Sequence, residues 1–141
     1  MAQTTTTRTR ITQVATVIVP VTDQDRALDF YEGTLGLEKV SDFRYESGER
    51  WTEVAPSGGT TRVSLAAARP DRPAGIETGV AFVTDDVEAD HAALQARAVD
   101  VEAIMRAGAP VRYWAGAPLA GMPAMFLFRD PDGNSFLIVQ G

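Results

Sequence analysis

One pattern occurs twice in this chain. Gly79-Val80-Ala81-Phe82-Val83-Thr84-Asp85-Asp86 can be laid on Thr16-Val17-Ile18-Val19-Pro20-Val21-Thr22-Asp23 at a constant offset of 63 residues. Both blocks are rich in β-branched residues, which suit a strand, and both end in short polar residues that can cap a helix. The same offset sets Leu28 on His91, Tyr31 on Leu94 and Leu35 on Ala98. Leu28, Tyr31 and Leu35 recur at i, i+3 and i+7, the apolar face of an amphipathic helix that Thr22 or Asp23 can cap and Gly36 can end. What repeats is an order: strand, helix, three strands, twice. A repeat this long has its own architecture and is not a short-period solenoid.

The reading places a first strand at 11–19, three strands at about 37–45, 50–56 and 60–68, and a Pro-rich linker at 69–76. A second helix is predicted over about 86–98. Three further strands follow near 100–106, 123–129 and 135–140. Asp130-Pro131-Asp132-Gly133-Asn134 is a dense turn signal between the apolar runs 124–128 and 136–139, so the last two strands form a hairpin. The segment 108–123 is long, apolar and punctuated by Gly and Pro. Loops of that length inside a compact domain are commonly functional, and it reads as a lid or cavity wall, or else as an interface loop.

Composition narrows the function. The 141 residues carry a net charge of −6 with no basic stripe, a poor match to nucleic-acid phosphates. Cysteine is absent, so disulfides and thiolate ligands are excluded. No apolar run approaches the ~20 residues of a membrane span. Residues 1–10 are Thr-rich and lack the apolar core of a signal peptide. They read as a disordered tail on a cytoplasmic protein, ahead of a single domain over 11–140.

The strand-turn pattern before Asp23, the run Arg26-Ala27-Leu28-Asp29-Phe30-Tyr31 with Leu35-Gly36-Leu37, and the closing Phe128-to-Gln140 hairpin resemble the vicinal oxygen chelate superfamily. That family includes glyoxalase I, ring-cleaving dioxygenases, fosfomycin-resistance enzymes and bleomycin-binding proteins. The resemblance implies an α+β fold in which two βαβββ modules, about 11–68 and 77–140, form a curved mixed sheet with a concave ligand cavity. It also implies a homodimer.

Family enzymes hold a divalent metal on four strand positions, usually as His or Gln, Glu, His and Glu. By local motif these positions become Thr16, Ser64, Gly79 and Leu137, none of which is an imidazole or a carboxylate. Hydroxyls are weak neutral donors, and Gly and Leu side chains donate nothing, so no metal and no other cofactor is expected. Strand alternation then makes the cavity floor small and mostly apolar, with Thr16, Ser64, Ser135 and Arg62 as polar points. Phe43, Tyr45, Trp51, Tyr113 and Trp114 are candidate walls.

The expected function is metal-free binding of a hydrophobic or aromatic small molecule, such as an antibiotic or natural product. The ligand-binding candidates are Thr16, Trp51, Arg62, Ser64, Gly79, Tyr113, Trp114 and Leu137. Drug-binding relatives of the bleomycin type favour a cationic guest, which the −6 charge suits and Arg62 and Arg112 oppose. One alternative is a cofactor-free acid/base enzyme of the isomerase, lyase or cyclase type. In it Glu53 or His91 moves a proton while Tyr113, Ser64 or Arg62 stabilises an oxyanion. For Glu53 the structural reading is a salt bridge with Arg44 or Arg62. For His91, on the stripe of Val87 and Leu94, it is a partly buried helix residue. A third reading is a metal enzyme with displaced ligands drawn from Asp42, Glu53 and His91.

Overall fold

The computed structural model describes residues 7–106 and 123–141. The first module contains β1 (Thr16–Val21), α1 (Gln24–Leu28), a π-helical continuation (Asp29–Thr34), β2 (Glu38–Arg44), β3 (Arg50–Ala55) and β4 (Arg62–Ala67). The second contains β5 (Glu77–Thr84), α2 (Val87–Ala96), β6 (Asp100–Val101), β7 (Met125–Arg129) and β8 (Ser135–Gln140). Each module forms a four-stranded mixed sheet, in the orders β1-β4-β3-β2 and β5-β8-β7-β6. In each, the first and last strands run parallel and the other pairs are antiparallel. The two modules therefore share one topology. Their helix starts are equivalent too, since Asp23 accepts from the backbone N–H of Arg26 and Asp86 from that of Ala89. The 63-residue offset thus survives as two equivalent N-caps, each satisfying one orphan donor of its helix.

Three element boundaries differ from expectation. The first strand starts at Thr16 instead of residue 11 and runs on to Val21. Among the described residues its only neighbour is β4, which is six residues long, so residues 11–15 have almost nothing there to pair with. Pro20 is accommodated because β1 is an edge strand, where a missing N–H need not break a ladder. The strand expected at 100–106 pairs regularly only over Asp100–Val101, with one further bridge between Met105 and Met125. The first helix widens to a π-helix after Leu28, with the Leu35 N–H bonding to Phe30 O at 3.0 Å. Gly36, at φ 78°, then reverses the chain.

A single apolar core joins the modules. Val19, Val21, Val54, Val63 and Leu65 from the first sheet meet Phe126, Phe128, Phe136 and Ile138 from the second, with Leu28, Tyr31, Val87 and Leu94 from the helices between them. Phe128 stacks on Phe136 at 5.3 Å, Phe82 stacks on Phe136 at 5.6 Å, and Tyr31 meets the Phe136 ring edge-on at 5.8 Å. Among the described residues no helix is long and apolar enough to cross a membrane. The proposed wall or lid at 108–123 lies almost wholly outside the described residues, as do Tyr113, Trp114 and Arg112.

The closing turn does more than connect β7 to β8. Asn134, fully buried, donates to Pro20 O of β1 at 2.8 Å and to Asp130 Oδ2 at 2.9 Å. Its Oδ1 accepts the backbone N–H groups of Gly75 and Ile76 at 2.8 and 3.0 Å. Asp130 also accepts the Tyr31 hydroxyl at 2.6 Å. Asp132 accepts from the Thr22 backbone and hydroxyl and from Arg26 Nη2 at 2.8 Å.

Losing a buried partner leaves the other group unsatisfied, at about 1–3 kcal/mol each. Asn134→Ala is therefore expected to cost about 3–5 kcal/mol, and Tyr31→Phe about 1–3 kcal/mol, in urea unfolding at pH 7. A loss below about 1 kcal/mol for Asn134→Ala would remove the turn from this role. Burial, then the Asp130 charge and hydrogen bond, push the Tyr31 hydroxyl well above its ordinary range. The folded state therefore keeps a proton that the unfolded chain loses above pH ~10, so this contribution to stability is complete below pH ~10 and declines above it. Tyr31→Phe should flatten that alkaline decline in unfolding measured from pH 9 to 11.

Candidate functional site

Strand alternation sends Val54, Val63 and Leu65 into the core and leaves the opposite face of the first sheet open. The strand register sets Glu53 beside Ser64 and beside Ser41, and Trp51 beside Phe43. Thr16, Ile18, Trp51, Glu53, Arg62 and Ser64 thus share this open face. Phe43 and Tyr45 meet edge-to-face at 5.1 Å, and each is about half exposed (47% and 50%).

Beneath the rings lies a polar cluster. Glu53 is buried. Its Oε1 accepts from Arg62 Nη1 at 3.2 Å and its Oε2 from the Ser64 hydroxyl at 3.1 Å. Thr16 Oγ1 lies 2.6 Å from Ser64 Oγ. Either hydroxyl can be the donor in that bond. Burial acts to raise the Glu53 pKa, but hydrogen bonding from Trp51, Arg62, Ser64 and Thr16 outweighs it and holds the carboxyl below its usual range. Of the two salt-bridge partners weighed for Glu53, Arg62 is the one present. Arg44 instead donates to Gly48 O.

The four positions that a family metal would use are chemically unlike a metal site. Thr16 and Ser64 are hydrogen-bonded to each other. Gly79 sits at φ 71° in a register shift of β5, a backbone geometry that L-residues rarely adopt. Leu137 packs with Met125 and Leu127 in a small apolar cluster on the open face of the second sheet. These residues do not fit a divalent cation.

The displaced ligand set does not converge either. Among the described residues no three His, Asp or Glu side chains approach closely enough to hold an ion. Asp42 faces the other way from Phe43 and grips Arg50 through two bonds of 2.8 Å, while Arg50 also reaches Asp25 at 2.7 Å. The Arg50 hydrogen bonds pull the Asp42 pKa down to about 2. His91 lies on α2, on the helix side of the second sheet. Its Nε2 is 2.9 Å from Glu102 O and its ring meets Phe126 edge-on at 4.9 Å. That places it across a sheet from any open face, away from Glu53. Tyr113, the remaining catalytic candidate, and Trp114 lie outside the described residues.

The sequence reading missed the Thr16–Ser64 bond, which depends on the parallel register of β1 with β4. It also missed the connections of Asn134, whose position in the Asp-Pro-Asp-Gly-Asn run was their only signal.

A cavity of about 80 Å³ opens between β5 and β8, bordered by Gly79, Leu127, Ser135 and Leu137. Larger clefts of about 300 and 340 Å³ lie elsewhere, beside Arg97 and the end of the π-helical turn.

The family model described as the Glyoxalase/Bleomycin resistance protein/Dioxygenase superfamily matches residues 10–138. Among solved structures, the chain is 35% identical to TnmS3, an antibiotic binding protein from Streptomyces sp. CB03234 (94% of this chain and 98% of that one covered, TM-score 0.76). It is 36% identical to a glyoxalase/bleomycin resistance protein from the same Streptomyces strain (91% and 100% covered, TM-score 0.71). A superfamily member from Sphaerobacter thermophilus DSM 20745 is 31% identical (93% and 98% covered, TM-score 0.78). With the matched region spanning both modules up to β8 and the same fold in these relatives, the chain belongs to the Glyoxalase/Bleomycin resistance protein/Dioxygenase superfamily.

Proposed function

We propose that this protein binds an aromatic, largely hydrophobic small molecule of the antibiotic or natural-product kind, without a metal, on the open face of its sheets. The observation that carries this reading is the half-exposed pair Phe43 and Tyr45, with the partly buried Trp51 beside Phe43 on the neighbouring strand and a self-satisfied polar cluster on the same face. The antibiotic-binding relative supports it.

An aromatic side chain buries about 150–250 Å², so covering the exposed half of one ring gains about 2–3 kcal/mol at ~25 cal/mol/Å². The two half-exposed rings, Phe43 and Tyr45, together gain about 4–6 kcal/mol, short of the roughly −8 kcal/mol of a micromolar complex even before ordering costs are subtracted. A second wall is therefore needed. The 80 Å³ cavity is far below the ~300–1,000 Å³ typical of drug-sized sites. A second copy of the chain is the proposed source of that wall. Ile18, Val40 and Val83 are left exposed beside the aromatic face or on the other sheet, at 42%, 42% and 75%.

Proton transfer is the weaker reading. A general base works best with a pKa near the operating pH, and the bonds around Glu53 lower its basicity.

The direct test is calorimetric titration with pyrene-1-methanol, an uncharged fused-ring probe. One site per chain with roughly micromolar affinity is expected, unchanged by EDTA and weakened about tenfold by Trp51→Ala. Absence of binding up to millimolar probe, or equal affinity in Trp51→Ala, would discard the reading. Light scattering at micromolar concentration should give twice the 15.1 kDa chain mass. A monomer that still binds the probe would remove the second copy from the site.

A further inference from the structure

We propose that Arg62 makes the open face selective for aromatic guests bearing an oxyanion, a carboxylate or an ionised phenol, against cationic ones. This rests on the small-molecule-binding reading above and adds the charge class of the ligand.

Glu53 and Arg62 are the charged residues that alternation places on the open face of β1, β3 and β4, and they are not equally available. The Glu53 side chain is 8% exposed and both of its oxygens already accept, Oε1 from Arg62 and Oε2 from Ser64. A cationic guest would have to displace one of those donors and reach below the surface to meet the carboxylate. The Arg62 side chain is 45% exposed. It uses Nη1 for Glu53, and its Nε and Nη2 have no partner among the described residues.

A guanidinium presents a planar fork of donors that matches two oxygens on one centre. The bond to Glu53 fixes the head group beforehand, which reduces the ordering cost of recognition. The face therefore offers unused donor capacity at Arg62, and aromatic contact from Trp51 and Phe43 lies on the adjoining strands.

The net charge of −6 points the other way and favours a cation at long range. At physiological ionic strength the Debye length is only about 8 Å, so exposed distant charges are largely screened while a direct contact is not. The contact decides.

Three probes with one ring system separate the possibilities: pyrene-1-carboxylate, pyrene-1-methanol and pyrene-1-methylammonium, titrated at about 0.15 M salt. The carboxylate is expected to bind about tenfold tighter than the alcohol, the low end for a charge-assisted bond at a half-exposed site, and the ammonium weakest. In Arg62→Gln the carboxylate-to-alcohol ratio should fall to within about twofold. If that variant folds poorly because Glu53 is left short of a donor, the double variant Glu53→Gln/Arg62→Gln, neutral and similar in shape, should show the same collapse. An ammonium bound as tightly as the carboxylate by the native protein, or a ratio that survives both variants, would overturn the proposal while leaving the binding reading intact. Failure of all three probes to bind would overturn both.

Discussion

The hydrogen bonds of Asn134 set the geometry on which the rest of the structure depends. Hydrophobic burial drives the two modules together, but it is non-directional and would tolerate many relative positions. Asn134 is directional. It reaches β1 through Pro20 O, the linker through Gly75 and Ile76, and its own turn through Asp130. Asp130 then takes the Tyr31 hydroxyl, and Asp132 ties down Thr22 and Arg26 at the start of α1. The last turn of the second module thereby fixes the first strand and helix of the first. Because Asn134, Asp130 and Tyr31 are buried, a misplaced module would leave several of their polar groups unsatisfied, and that penalty selects one arrangement. Thr16 lies on the strand held this way, so the polar cluster of the open face inherits its register from a turn 114 residues beyond Pro20.

The two faces of each sheet divide the labour. The inner faces supply one continuous core, in which the rings of Phe82, Phe128 and Phe136 stack in sequence. The π-helical widening after α1 belongs to this packing. It sets Tyr31 edge-on to Phe136 and Phe30 edge-on to Tyr31, while Gly36 returns the chain to β2. The open faces are freed from core duty and carry residues that a core would reject: half-exposed aromatics, a carboxylate paired with a half-exposed arginine, and a bulged glycine.

What the sequence disclosed follows from which forces are local. The repeat, the two helices and the closing hairpin were legible because periodicity and turn chemistry are written along the chain. Asp23 and Asp86 fell on the same structural position because capping depends on residues three apart. The extent of β1 was misread because β-branched composition in 11–15 says nothing of whether a partner strand lies alongside. The second half of the strand placed at 100–106 failed for the same reason. In the site, alternation put Trp51, Glu53, Arg62 and Ser64 on one face, but did not disclose the hydrogen-bonded cluster of Thr16, Ser64 and Glu53. That cluster needs distances across three strands. His91 and Asp42 illustrate the converse. Each is plausible as an isolated ligand in the sequence, and each is committed elsewhere by its neighbours, Glu102 O and Phe126 for one and Arg50 for the other.

These commitments are what the proposal of binding without a metal rests on. A metal centre concentrates its binding energy in a few strong bonds and requires donors that converge on one point. On this chain two of the corresponding positions hydrogen-bond to each other, one is a bulged glycine and one is packed with leucine and methionine. The buried charge that remains, Glu53, is held by neighbouring donors and so costs less to bury than an isolated carboxylate. On the proposed binding reading, a floor satisfied internally leaves affinity to apolar contact area and to the unused donors of Arg62. Contact area would set how tightly a guest is held. The guanidinium, bonded to Glu53 and half exposed, would set which guests are accepted.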